Sequence, residues 1–204
     1  MHIAVIGTGY VGLVSGACFA DFGHTVTCVD LDETRIERLK ACELPFFEPG
    51  LAEIVDRNVA AGRLRFTTQT ASAVRDALVV FLAVGTPEGK NGEADLSQIP
   101  AAVDQVAVDL TDYKVIVTKS TAPAGTGARL AQVLAAGAPS GADFDVVSNP
   151  EFLREGAAVQ DFMRPDRIVI GTTSPADYSL EDPDRQSLHR QLEGRQDRLQ
   201  AARI

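Results

Sequence analysis

The sequence predicts an α/β fold: a doubly wound, mostly parallel sheet with helices on both faces. Three observations carry that reading. Short apolar runs alternate with stretches of helical period as far as about Gly171, the rhythm of repeated strand–helix–strand units. Residues 77–84 are almost continuously apolar, as a strand covered on both faces should be. The run Gly7-Thr8-Gly9-Tyr10-Val11-Gly12 stands between the first apolar run and the first helical stretch. An acidic residue, Asp30, closes the second strand about 20 residues further on, which is the Rossmann arrangement.

The elements follow in order. The first strand covers residues 2–6 and the first helix 10–22, with Gly23 to stop it. The second strand covers 25–29. Asp32 then caps a helix that runs to about residue 41. The connector Leu44-Pro45-Phe46-Phe47-Glu48-Pro49-Gly50-Leu51 puts Pro49 in the first turn of the next helix, which ends near residue 60. Strands are expected at 64–66, 77–84, 114–118, 144–147 and 167–170. Helices are expected at about 96–110 and 126–136, with a polar loop at 85–94. The apolar periodicity fades after Gly171. The domain is therefore drawn at 1–174, and 175–204 is a charged tail, either a solvated helix or disordered.

A chain of 204 residues suffices for one such domain and a tail but is short for two complete domains. The net charge of −9, from 19 Lys+Arg against 28 Asp+Glu, lacks the basic stripe that nucleic-acid binding needs. No apolar run approaches the roughly 20 residues of a membrane span. The chain opens directly on a strand, without the basic region of a signal peptide. Cys18, Cys28 and Cys42 are odd in number and lack metal-ligand spacing. They read as reduced thiols in a cytoplasmic chain with no metal.

The glycine-rich turn points to a bound dinucleotide. Gly7 permits a tight turn, Gly9 lets a pyrophosphate approach the backbone, and Gly12 lets the helix pack closely on the sheet. The pyrophosphate then meets the helix N-terminus, whose N–H groups and dipole favour an anion. Asp30 accepts from ribose hydroxyls and would repel a 2′-phosphate, which selects NAD over NADP. Arg35, one turn into the next helix, is within reach of the adenosine end, and is equally well read as a solvated arginine. Two further loops, Val84-Gly85-Thr86-Pro87 and Lys119-Ser120-Thr121, lie at strand ends, where such sheets bind ligands. The most informative stretch is Ser148-Asn149-Pro150-Glu151-Phe152-Leu153-Arg154-Glu155-Gly156. It sets two carboxylates and a guanidinium side by side after a strand, with Asp161 following.

These motifs, with Glu48-Pro49-Gly50-Leu51 and Arg164-Pro165-Asp166-Arg167-Ile168-Val169-Ile170-Gly171, resemble the UDP-glucose/GDP-mannose dehydrogenase family from Met1 to about Ser174. The resemblance implies a two-step oxidation of a sugar C6 alcohol to a carboxylate, with NAD as cofactor and a UDP-sugar as substrate. UDP-glucose is the first choice, and GDP-mannose or UDP-N-acetylmannosamine the alternative. It implies that Gly7, Gly9, Tyr10, Val11, Gly12, Asp30, Arg35, Thr86, Ser120, Thr121 and Glu155 bind NAD. It further implies that Glu151, Phe152, Leu153, Arg154 and Glu155 line the sugar site. Glu151 would be the acid/base, helped by partial burial, and Thr121 would hold a catalytic water.

The family's cysteine nucleophile, its catalytic lysine and asparagine and its second Rossmann-like domain have no counterpart in the 204 residues. The sequence thus reads as a truncated chain, inactive or nearly so alone. The resemblance implies a homo-oligomer at full length, and a monomer is plausible for this chain without the central helix through which the family pairs. A stand-alone NAD-binding remnant is the competing binding-module reading. A 3-hydroxyacid type of dehydrogenase is disfavoured by the Glu48-Pro49-Gly50 run and the segment from Glu151 to Glu155.

Overall fold

The structure is a computed structural model, and it describes residues 1–85, 98–120, 125–172 and 201–202. β1 (His2–Ile6) leads into α1 (Tyr10–Asp21), β2 (Thr25–Val29) and α2 (Glu33–Lys40). Then come α3 (Leu51–Ala60), β3 (Leu64–Thr67), α4 (Thr70–Asp76), β4 (Val79–Leu82), α5 (Gln98–Ala107) and β5 (Lys114–Thr118). α6 (Thr126–Gly137), β6 (Phe144–Ser148), α7 (Ala158–Met163), β7 (Ile168–Val169), β8 (Gly171–Thr172) and β9 (Ala201–Ala202) complete the order.

The main sheet runs β3-β2-β1-β4-β5-β6-β8. Every pairing is parallel except the last, where Ser148 sits opposite Gly171 in an antiparallel edge. Strand order reverses between β1 and β4, so their carboxyl ends flank the crevice in which doubly wound sheets hold ligands.

Alternation within the strands builds two cores. Ile3, Val5, Val79, Phe81, Val115 and Val117 face one side, against Leu13 and Val14 of α1, Ile36 and Leu39 of α2, Ile54 and Val55 of α3 and Ala158 of α7. Ala4, Ile6, Val80, Leu82 and Ile116 face the other, against Val74 of α4, Val103 and Val106 of α5 and Leu130 and Leu134 of α6. At the foot of the sheet, Lys114 buries its chain and donates from Nζ to Arg75 O (3.0 Å) and Ala77 O (2.7 Å), closing the end of α4.

Four details differ from the sequence reading. α3 starts at Leu51 with Gly50 as its left-handed N-cap (φ 79°), so Pro49 precedes the helix instead of occupying its first turn. α4 and α7 were not foreseen. The strand expected at 167–170 shrinks to the two residues of β7, and the edge of the main sheet is β8 instead. Of the tail read as helical or irregular, only 201–202 are described, and they form β9 beside β7; most of the polar loop at 85–94 likewise lies outside the described residues.

Candidate cofactor and substrate site

The carboxyl ends of β1, β2, β4, β5 and β6 carry the site. At the end of β1, Gly7 adopts φ +101°, and a β-carbon there would lie 2.7 Å from Ala83 O. Its N–H donates to Val29 O at 2.8 Å, which ties the turn to β2. A β-carbon on Gly12 would come within 2.0 Å of Gly7 O, so α1 can enter this close only without a side chain. Gly9 is different: it has extended backbone, and a β-carbon would meet nothing within 4 Å. Gly9 is also the N-cap of α1, and no side chain caps that helix. The turn therefore presents amides and open approach together, which suits an anionic group. Val11 stands half-buried in the same first turn.

Asp30, at the end of β2, turns back to this loop. Its Oδ2 accepts from Thr8 N (2.9 Å), Thr8 Oγ1 (2.7 Å) and Arg35 Nη1 (3.0 Å), while Oδ1 accepts from Asp32 N at 3.1 Å. Burial pushes the carboxyl up, but the Thr8 and Asp32 donors and the Arg35 charge outweigh it and hold Asp30 below the usual aspartate range. One lone pair on Oδ1 is left for a hydroxyl. The cap of α2 is Asp32, which accepts from Arg35 N, so Asp30 is not needed for that task.

At β4 and β5, Ser120 Oγ donates to Val84 O (2.8 Å) and joins the two loops. Thr86 and Thr121 lie outside the described residues. Lys119, which the sequence offers only as part of a strand-end loop and with no role of its own, is 6% exposed. Its Nζ lies 5.4 Å from the centroid of the Phe162 ring, an attractive arrangement for a cation. Burial brings its pKa down to about 8, against the opposing charge of Glu151 on the neighbouring strand end.

After β6, Asn149 Nδ2 donates to Val169 O (2.9 Å) and holds β7 in place. Glu151 is half-buried, and its Oε2 accepts from Leu153 N, folding the carboxylate into its own turn. Phe152 is 47% exposed, with the Arg167 guanidinium 4.9 Å over its ring. Arg154 forks onto Asp161 through Nη2 (2.7 Å) and Nε (3.1 Å), and Glu155 is exposed. A second residue that sequence reasoning named without a role is Glu48. It is 3% exposed, with Oε2 accepting from Tyr10 Oη (2.6 Å) and Gly156 N (2.9 Å) and Oε1 from Ala158 N (2.8 Å). Its only sequence signal is an acidic residue inside an otherwise apolar, proline-rich connector.

The three cysteines stand away from this cleft. Burial pushes Cys18, inside α1, and Cys28, inside β2, up to about 12, and burial together with Asp56 raises half-buried Cys42 beyond α2. Among the described residues, no cluster of three His, Cys, Asp or Glu could hold a metal. No helix there is long and apolar enough to cross a membrane.

Strand order, the open Gly9 approach and the Asp30 carboxylate together define a Rossmann dinucleotide-binding domain, and they fit NAD. The family profile described as UDP-glucose/GDP-mannose dehydrogenase family, NAD binding domain, matches residues 1–191, and the chain belongs to that family, with NAD as its cofactor. It is 57% identical over 172 residues to a UDP-glucose 6-dehydrogenase of Rhizobium meliloti (strain 1021), across 84% of this chain and 39% of the relative. A UDP-glucose dehydrogenase structure from Pyrobaculum islandicum superposes with a TM-score of 0.85 at 37% identity, covering 100% of this chain and 45% of that one. The structure of a ternary complex of GDP-mannose dehydrogenase from Pseudomonas aeruginosa gives the same TM-score, 0.85, at 32% identity, covering 100% and 46%. The chain thus spans about two fifths of the length of the curated relative it matches.

Proposed function

We propose that this chain is the NAD-holding part, and one wall of the sugar site, of an enzyme that oxidises the C6 alcohol of UDP-glucose to the carboxylate. The domain is read as residues 1–174, in a cytoplasmic protein. The observation that carries the reading is the placement of the half-buried Glu151 and the buried Lys119 just beyond the paired ends of the adjacent strands β6 and β5, where Ser148 sits opposite Thr118. These residues stand on the same carboxyl edge of the sheet as the crevice between β1 and β4, with β4 and β5 between that crevice and β6.

Bound NAD supplies hydride acceptance at the sugar carbon. The chain's own residues do the rest. Gly7, Gly9, Tyr10, Val11 and Gly12 receive the pyrophosphate; Asp30 and Arg35 take the adenosine ribose; Thr86, Ser120, Thr121 and Glu155 bound the nicotinamide side. Glu151 receives the proton of the C6 hydroxyl as the C6–O bond becomes a carbonyl and the hydride passes to the nicotinamide. Thr121 orients the water, and Phe152, Leu153 and Arg154 hold the sugar nucleotide. With both its buried thiols pushed to about 12, the chain offers no poised thiolate for a covalent second step. Isolated, it is read as binding both ligands without full turnover.

GDP-mannose is the second reading, favoured by the equal superposition on the GDP-mannose dehydrogenase. The test is calorimetric titration of the chain with NAD, then of the NAD-saturated chain with UDP-glucose and GDP-mannose, with NADH absorbance followed in parallel. Binding of UDP-glucose with no sustained NADH supports the reading. A preference for GDP-mannose moves the substrate, and sustained UDP-glucuronate formation overturns the account of the missing thiolate.

A further inference from the structure

We infer that Glu48 is a positioning residue that couples the NAD turn to the sugar-binding segment, an inference resting on the reading of Glu151 to Glu155 as the sugar wall. One buried carboxylate joins three stretches far apart in sequence. Tyr10 Oη, in the first turn of the glycine-rich helix, donates to Oε2 at 2.6 Å. Gly156 N donates to the same oxygen at 2.9 Å and Ala158 N to Oε1 at 2.8 Å, immediately after the proposed sugar wall.

Burial alone would raise the Glu48 pKa. The Tyr10 hydroxyl and the amides of Gly156, Ala158 and Val159 more than reverse that and hold it below the ordinary glutamate value. The carboxylate is thus ionised and satisfied entirely by hydrogen bonds, the condition under which a buried charge is tolerated. Tyr10 completes the link: its hydroxyl also lies 3.4 Å from Arg154 O, and its ring packs 5.0 Å from that of Phe46, which flanks Glu48 in the connector.

The consequence is mechanical. Anything that fixes the first turn of α1 fixes Tyr10, and through Glu48 it fixes the amides at 156–159. NAD binding at the Gly9 approach therefore orders the neighbouring Glu151–Glu155 wall before the sugar arrives. A glutamine cannot replace the carboxylate: in either amide orientation, its NH2 would confront the N–H of Gly156 or of Ala158.

The test is amide hydrogen exchange of the full chain with and without saturating NAD. In the wild type, NAD should slow exchange at Gly156, Ala158 and Val159 at least about fivefold, the lower end of ordinary site–site coupling. In Glu48→Gln that NAD-dependent slowing should be lost while strand amides such as Val5 and Ile116 stay protected. Tyr10→Phe, which removes one hydroxyl, serves if Glu48→Gln does not fold, and should also lose it. A purely structural Glu48 would lower baseline protection in the variants and leave the NAD increment intact. That result, or no increment in the wild type, overturns the inference. Failure of UDP-glucose to perturb 151–155 in the NAD-saturated wild type would instead sink the sugar-wall reading and leave the NAD increment at 156–159 to judge Glu48.

Discussion

Arg35 donates from Nη1 to Asp30 Oδ2 at 3.0 Å, so the carboxylate proposed to take the ribose already holds a guanidinium beside it. Removing the acid frees that cation next to the 2′-position. Asp30→Ala should weaken NAD roughly tenfold to a hundredfold, the range for hydrogen bonds to a charged group. It should also improve NADP, because Arg35 can then pair with a 2′-phosphate. Calorimetry with both dinucleotides reads the ratio, which a general loss of stability leaves alone. If neither affinity moves, the ribose assignment is wrong.

Gly9 and Gly12 should separate cofactor contact from packing. Gly9→Ala adds a methyl where no protein atom lies within 4 Å, on backbone any residue adopts. Its melting temperature should hold or rise slightly, while NAD affinity falls at least about tenfold, or about 1.4 kcal/mol. Gly12→Ala drives a methyl to 2.0 Å from Gly7 O and should cost about 1–3 kcal/mol of stability. Thermal denaturation with and without NAD checks both. A Gly9→Ala chain that binds NAD normally would mean that the pyrophosphate does not pass there.

Most of the sheet was legible because its strands are short apolar runs with glycine or a polar residue at each end. β1, β2 and β5 agree with the sequence reading to the residue. What escaped had weak signals. α4 has seven residues and buries only Ala73 and Val74, too little for a period of 3.6 to stand out. α7 has six residues and buries only Ala158, too short an apolar face to register as a helical period. Ile168 and Val169 look like a sheet strand, yet Asn149 holds Val169 O from the side and the sheet edge goes to Gly171. In the site, the glycine turn and Asp30 were readable from spacing alone. Glu48 and Lys119 were not, because what singles them out is burial, and no local pattern announces that a charged residue is buried.

The cysteines give a chemical prediction. Cys18 and Cys28 are fully buried with thiols pushed to about 12, so almost no thiolate exists near neutral pH. A maleimide or aromatic disulfide reagent should modify at most Cys42 in the native chain, and all three thiols only after denaturation. Modification should leave NAD affinity unchanged, since Cys42 lies beyond α2 and away from the strand ends. Rapid native labelling of two or more thiols would show that α1 or β2 opens far more readily than the packing implies.

Lys119 carries the strongest expectation about pH. Burial lowers its pKa from 10.5 to about 8, and the Glu151 charge only partly opposes this. Below about pH 8 the folded chain holds a charged, buried amine and bears the full desolvation penalty. Between about 8 and 10.5 the unfolded chain keeps a proton that the folded chain has released, so wild-type stability rises with pH across that window. Lys119→Met has no such term and keeps favourable packing against Phe162. The variant should therefore be more stable than wild type at neutral pH, by up to about 3 kcal/mol, and the advantage should shrink towards zero above about pH 10. If stability is the only concern, the lysine is a defect; if its charge serves the proposed sugar site, the same variant should bind UDP-glucose less tightly while melting later. Denaturant unfolding at several pH values, paired with sugar-nucleotide titration, distinguishes the two. A variant that is less stable at neutral pH would mean that the Phe162 ring and Glu151 more than offset the burial of the amine.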